Sequence, residues 1–135
     1  MKTPDEIVEL MLTNDQFSNW LGLEVIHLEK GKVNLKTTVK EEMLNGFEIA
    51  HGGIAYALGD SALAFSANAH GKQAVSVETS ISHVQKVFLH DVLTTEVNEV
   101  SLNHKIGIYH IRVINQYDVE VAHFKGTVYI SVKEW

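Results

Sequence analysis

The residue with the clearest chemical potential is Asp60. Between Ile49 and Gly71 it is the only Asp, Glu, Lys or Arg in a run otherwise rich in alanine and leucine. A carboxylate in an apolar helix costs several kcal/mol unless it is paired or hydrogen-bonded, so its presence there points to a use beyond packing. The bland reading is a water-facing Asp, or one held by a partner such as Ser61; its isolation argues against both. The second feature is His51-Gly52-Gly53, just before the same helix. Glycines let a backbone approach a ligand closely, and unpaired N–H groups in a helix's first turn favour negative charge. An ester or thioester carbonyl seated there would have its developing oxyanion stabilised, by about 3–4 kcal/mol per donor. Gly52 and Asp60 are eight residues apart. At 1.5 Å rise that is about 12 Å along one helix, too far for one reacting atom to touch both. The expectation is that they converge only across a two-fold axis, Gly52 from one subunit and Asp60 from another.

Other chemistries fare worse. The chain has no cysteine, which removes disulfides, thiolate nucleophiles and zinc–thiolate sites. Its eight histidines show no HxH or HExxH spacing, so no metal site is expected; strand histidines such as His110 and His123 would converge only through a sheet. The net charge of −6 argues against nucleic-acid binding, although Lys72, Lys86 or Lys105 could meet phosphates locally. The acidic N-terminus lacks the apolar run of a secretory signal, and Ile49 to Gly71 is a poor membrane span. No membrane association and a cytoplasmic location are expected.

The elements that must position these residues read as one unit over 1–135, without linker or repeat. Thr3-Pro4-Asp5-Glu6 has the form of a capping box opening a short helix, which Asn14 and Asp15 interrupt and Gly22 ends. Leu23 to Lys30 and Lys32 to Lys40 read as strands around Gly31, with Val33, Leu35, Thr37 and Val39 on one face. Glu41 to Gly53 reads as a loop and Ile54 to Asn68 as a helix. Four strands follow: Ala74 to Val84, Val92 to Leu102, Gly107 to Tyr117 and Glu120 to Val132. Asn103-His104-Lys105 and Tyr117-Asp118 look like hairpin connections. This order implies α+β architecture with an antiparallel sheet. A helix apolar nearly all round must be covered on most sides, so the sheet should curl around it and a second copy should cover the remainder.

Met43-Leu44-Asn45-Gly46, His51-Gly52-Gly53 and Leu58-Gly59-Asp60-Ser61-Ala62, taken together, resemble the signature of hotdog-fold acyl-CoA thioesterases of the PaaI-like branch. The resemblance runs from about Phe17 to Ile130 and includes Ala74-Val75-Ser76-Val77 and Gly107-Ile108-Tyr109. It implies a long central helix wrapped by a curved antiparallel sheet, assembled as a homodimer or as a dimer of dimers (a homotetramer), with the active site at the dimer interface. It implies that Asp60 is the catalytic carboxylate, as general base or nucleophile, and that the Gly52 N–H polarises the thioester carbonyl. By the same resemblance Asn45, His51 and neighbouring Gly53 shape the substrate site, and Ser76 helps hold the attacking water. No cofactor is implied, because coenzyme A is part of the substrate. Departures from the pattern are the lack of the aromatic residue usual near His83 and of the proline usual near Lys86, His90 where glycine is usual, and Gly59 where alanine is common. Tyr56, Leu63 and Phe65 are expected to line an acyl pocket suited to an aromatic or medium chain. Two other readings remain. One is a non-catalytic acyl-CoA-binding or sensing module, disfavoured by Asp60 and by the lack of a basic DNA-reading helix. The other is a hotdog dehydratase or hydratase, which would need a His–carboxylate pairing.

Overall fold

The computed structural model describes residues 1–135. Two short helices, α1 (Pro4–Asn14) and α2 (Gln16–Leu21), precede strands β1 (Glu24–Glu29) and β2 (Lys32–Thr38). A single 3-10 turn (Glu41–Met43) leads to the long helix α3 (Gly52–Asn68). Strands β3 (Lys72–His83), β4 (Val92–Leu102), β5 (Ile106–Ile114) and β6 (Glu120–Glu134) complete the chain. All six strands form one antiparallel sheet in the order β1-β2-β4-β5-β6-β3. This is the α+β arrangement that the element order implied and the hotdog form that the family resemblance implied: α3 packs on β2, β3, β4, β5 and β6, held in the hollow of the sheet.

Local chemistry explains the boundaries. The capping box forms as expected: the Glu6 N–H donates to Thr3 Oγ1 and the Thr3 N–H to Glu6 Oε2. Asp15 ends α1 and caps α2, and Gly22 closes α2 at φ 71°. Val33, Leu35, Thr37 and Val39 are all buried against the core, so the alternation in β2 was legible. Two buried polar residues tie helix to sheet. Ser66 Oγ accepts the Val33 N–H at 2.8 Å. Asn68 Nδ2 donates to the carbonyls of Ala64 and Ala74, while its Oδ1 accepts from the Ala74 N–H and Trp135 Nε1. Each satisfied bond avoids the desolvation cost that an unpaired buried group would carry.

Two features of this packing bear on the site. The sheet covers most of α3 but leaves a stripe on which Ala57, Asp60, Ser61 and Ala64 are only half-buried, running on from exposed Gly53. Their spacing follows one helix face, and Asp60 lies in its middle. The second feature is β3, which ends the sheet with an unpaired edge and exposes Val75 and Val77. A long free edge of this kind is a template for pairing with another strand.

Gly59 sits on the opposite, sheet-facing side of α3. A Cβ there would lie 2.8–3.1 Å from the Phe124 ring and Cβ. Phe124 is fully buried and packed edge-on against Tyr56, so it has little freedom to yield. The missing side chain thus lets helix and sheet approach closely and adds no room to a ligand pocket. Gly59→Ala gains about 1 kcal/mol of helix propensity but incurs about 1–3 kcal/mol of overpacking. The expected net result in thermal denaturation is a melting temperature a few degrees lower. A rise would mean that the contact relaxes freely.

Candidate active site

The loop before α3 is fixed by its own backbone. The Asn45 N–H donates to the Ile49 carbonyl and the His51 N–H to the Met43 carbonyl, each at 2.8 Å. Asn45 Oδ1 accepts from the Phe47 N–H at 2.8 Å, forming an Asx turn that sets the loop's path. Helix α3 starts at Gly52, two residues earlier than the sequence suggested, because His51 acts as its N-cap. His51 Nδ1 accepts the Gly53 N–H at 2.8 Å, which leaves the proton of the neutral ring on Nε2. The next donor, the Ile54 N–H, goes back to the His51 carbonyl. The Gly52 N–H has no partner in the chain. It is the one unclaimed donor among the first three of the helix, at its positive end.

Asn45, His51 and Gly52 line a cavity of about 370 Å³, together with His83, Lys86 and Leu93. Of the three lysines that might meet phosphates, Lys86 alone borders this cavity. Asp60 lies elsewhere. It borders a second, mainly apolar hollow of about 410 Å³ with Ser76, Met11, Leu63, Val75 and Val128. Its carboxylate accepts no hydrogen bond within the chain; Ser61, a possible partner, is paired with Ser18 instead. Burial without a compensating partner pushes the Asp60 pKa above the ordinary carboxylate value.

The six residues singled out from the sequence therefore fall into two groups. Asn45, His51 and Gly52 share one cavity, with Gly53 held beside them by the His51 ring. Asp60 and Ser76 share the other. No single protomer brings the two groups together, as the helix spacing required. Leu63 lines the Asp60 hollow as expected, but the other two acyl-pocket assignments need correction. Phe65 points into the core at 1% exposure and lines neither cavity. Tyr56 packs on Phe124 and hydrogen-bonds Thr79. Met11, Val75 and Val128 supply the apolar wall instead, drawn from α1, β3 and β6. His90 adopts φ 72°, in the left-handed region, which accounts for glycine being usual there. The Asp91 carboxylate holds that turn, accepting from the Phe88 N–H and Gln116 Nε2.

Comparison with known proteins agrees with this geometry. Residues 47–122 match the sequence model of the thioesterase superfamily. The chain is 33% identical over 116 residues to the acyl-coenzyme A thioesterase PaaI of Escherichia coli, covering 86% of this chain and 83% of that protein. The solved structure of the E. coli PaaI protein from the phenylacetic acid degradation operon superposes with a TM-score of 0.94 at 29% identity, over 97% of this chain and 95% of that one. A Streptococcus mutans protein solved with acetyl CoA bound superposes with a TM-score of 0.80 at 27% identity, over 84% and 91%. With two thirds or more of each chain shared and His51, Gly52 and the whole of α3 inside the residues matched by the family model, this chain belongs to the thioesterase superfamily, as a PaaI-like hotdog member of it.

Proposed function

We propose that this protein hydrolyses acyl-CoA thioesters, with an aromatic or medium-length acyl group, to the free acid and coenzyme A. The observation that carries the reading is the division of α3. Its N-terminus presents one free backbone N–H at Gly52, and its uncovered stripe presents one unpaired, desolvated carboxylate at Asp60. The first suits a developing oxyanion and the second suits a base. In the proposed reaction Asp60 takes a proton from water, with Ser76 beside it to orient that water. The resulting hydroxide adds to the thioester carbon, and the oxyanion forms at the Gly52 N–H. Collapse of the tetrahedral adduct breaks the C–S bond, and the departing thiolate recovers the proton.

Because the two cavities are separate, the minimal active unit in this proposal is a homodimer. The Asp60–Ser76 hollow of one protomer would face the Asn45–His51–Gly52 cavity of its partner. The half-buried stripe of α3 and the free edge of β3 support such pairing, since both leave surface that a second copy would cover. The apolar wall of Leu63, Val75 and Val128 suits the acyl group, and Lys86 suits a coenzyme A phosphate at the other cavity. The E. coli relative's designation as an acyl-coenzyme A thioesterase and the acetyl CoA bound by the S. mutans protein favour the same ligand class. No helix is long and apolar enough to cross a membrane, and a cytoplasmic setting is part of the proposal.

The test is thiol release across a panel of aromatic, short-, medium- and long-chain acyl-CoA compounds. The expected outcome is turnover concentrated in the aromatic or medium-chain group. Tight binding without turnover of any member would instead favour a sensing module.

A further inference from the structure

The oxyanion of a tetrahedral adduct is best held by more than one donor, yet α3 offers a single free backbone N–H. The neighbouring amide at Gly53 is already bound to His51 Nδ1, and Ile54 to the His51 carbonyl. A side chain lining the same cavity could supply a second donor, and only one of them stands against Gly52 itself. His83, the last residue of β3, is placed for this. A Cβ built on Gly52 would lie 3.1 Å from His83 Nε2 and 3.2 Å from its Cε1, so the imidazole edge rests over the bare Gly52 backbone. The two residues line one cavity. Neither ring nitrogen of His83 is engaged by another group of the chain, so nothing fixes its tautomer and Nε2 is free to carry a proton. The glycine at position 52 is what makes room for the ring.

We infer that His83 is a further catalytic residue: its Nε2–H donates to the thioester carbonyl oxygen alongside the Gly52 N–H, completing a two-donor oxyanion site. This rests on the thioester-hydrolase reading given above. The role is electrostatic; His83 neither gains nor loses a proton in it. A donor that acts on charge developed in the transition state affects kcat more than KM.

Three substitutions of the full-length protein test it by thiol release: His83→Ala and His83→Phe, which donate nothing, and His83→Gln, whose amide N–H can replace the ring's. His83 is exposed in the protomer, so folding should survive, and melting temperatures check that. The expected result is a kcat roughly 100- to 1,000-fold lower for His83→Ala and His83→Phe, with KM changed only a few-fold. His83→Gln should recover to within about tenfold of the parent. Two results would overturn the inference and leave the hydrolase reading standing. One is parent-like kcat in His83→Ala while Asp60→Asn is inactive. The other is activity kept in His83→Phe but lost in His83→Gln, which would make the ring a packing surface. If the parent itself released no thiol from any acyl-CoA, the hydrolase reading would fall, and this inference with it.

Discussion

Asp60→Asn is expected to lower kcat for acyl-CoA hydrolysis by about a thousandfold while leaving the fold intact. The amide keeps the shape of the carboxylate and removes its basicity, and general-base contributions typically span about 10²- to 10⁴-fold. Stability should move the other way. Burial raises the folded-state pKa of Asp60 above 3.8, so the charged form is penalised in the fold relative to the unfolded chain. That penalty is absent below 3.8, where both states are protonated, and is fully present once pH exceeds the folded-state value. Near neutral pH the Asn variant should therefore melt at the same temperature as the parent or slightly above it. In acid the difference should vanish. The raised pKa also displaces the acid limb of the parent's kcat/KM profile above 3.8, because the base must be ionised to act. Thiol-release assays across pH, paired with thermal denaturation, read all three effects. Parent-like hydrolysis by Asp60→Asn would refute the role given to this carboxylate.

The reasons why some of this was readable from sequence and some was not are physical. The capping box, the alternation in β2 and the four late strands are short-range patterns, and each formed where periodicity and capping chemistry required. Asp60 was conspicuous because charge in an apolar segment is costly wherever that segment packs. The start of α3 was missed by two residues because glycine is a poor helix former and histidine is outside the usual set of N-caps; only the 2.8 Å bond from Gly53 to the His51 ring reveals it. Phe65 was misplaced because a helix that is apolar all round carries no phase. Its periodicity cannot say which residues meet the sheet and which meet a ligand. His83 escaped notice as a site residue for a related reason. Its relation to Gly52 depends on where β3 ends relative to the helix N-terminus, a long-range placement that no local pattern encodes.

The helix spacing makes a stronger demand than any single substitution, and proline at Gly52 offers a clean way to test it. Gly52 is the first helical residue, where proline is well tolerated and removes an N–H that has no helical partner in any case. His51, at φ −59° and ψ 137°, already has the extended conformation required before proline. Gly52→Pro should thus keep α3 and delete the proposed oxyanion donor, lowering kcat by about 10²- to 10³-fold. Gly52→Ala adds a similar Cβ against the His83 ring but retains the N–H, so whatever Gly52→Pro loses beyond Gly52→Ala reports the N–H itself. The decisive measurement mixes defects. When Gly52→Pro and Asp60→Asn chains are co-expressed equally, half of the dimers are mixed. Each mixed dimer has one site with both defects and one with neither, so about a quarter of parental activity should return from two nearly inactive proteins. A site built within one chain could never recover in this way, because every chain would carry a defect. Co-expressed material as inactive as its parents, with mixed dimers verified by differential tags, would show that Gly52 and Asp60 do not serve one site across a two-fold axis.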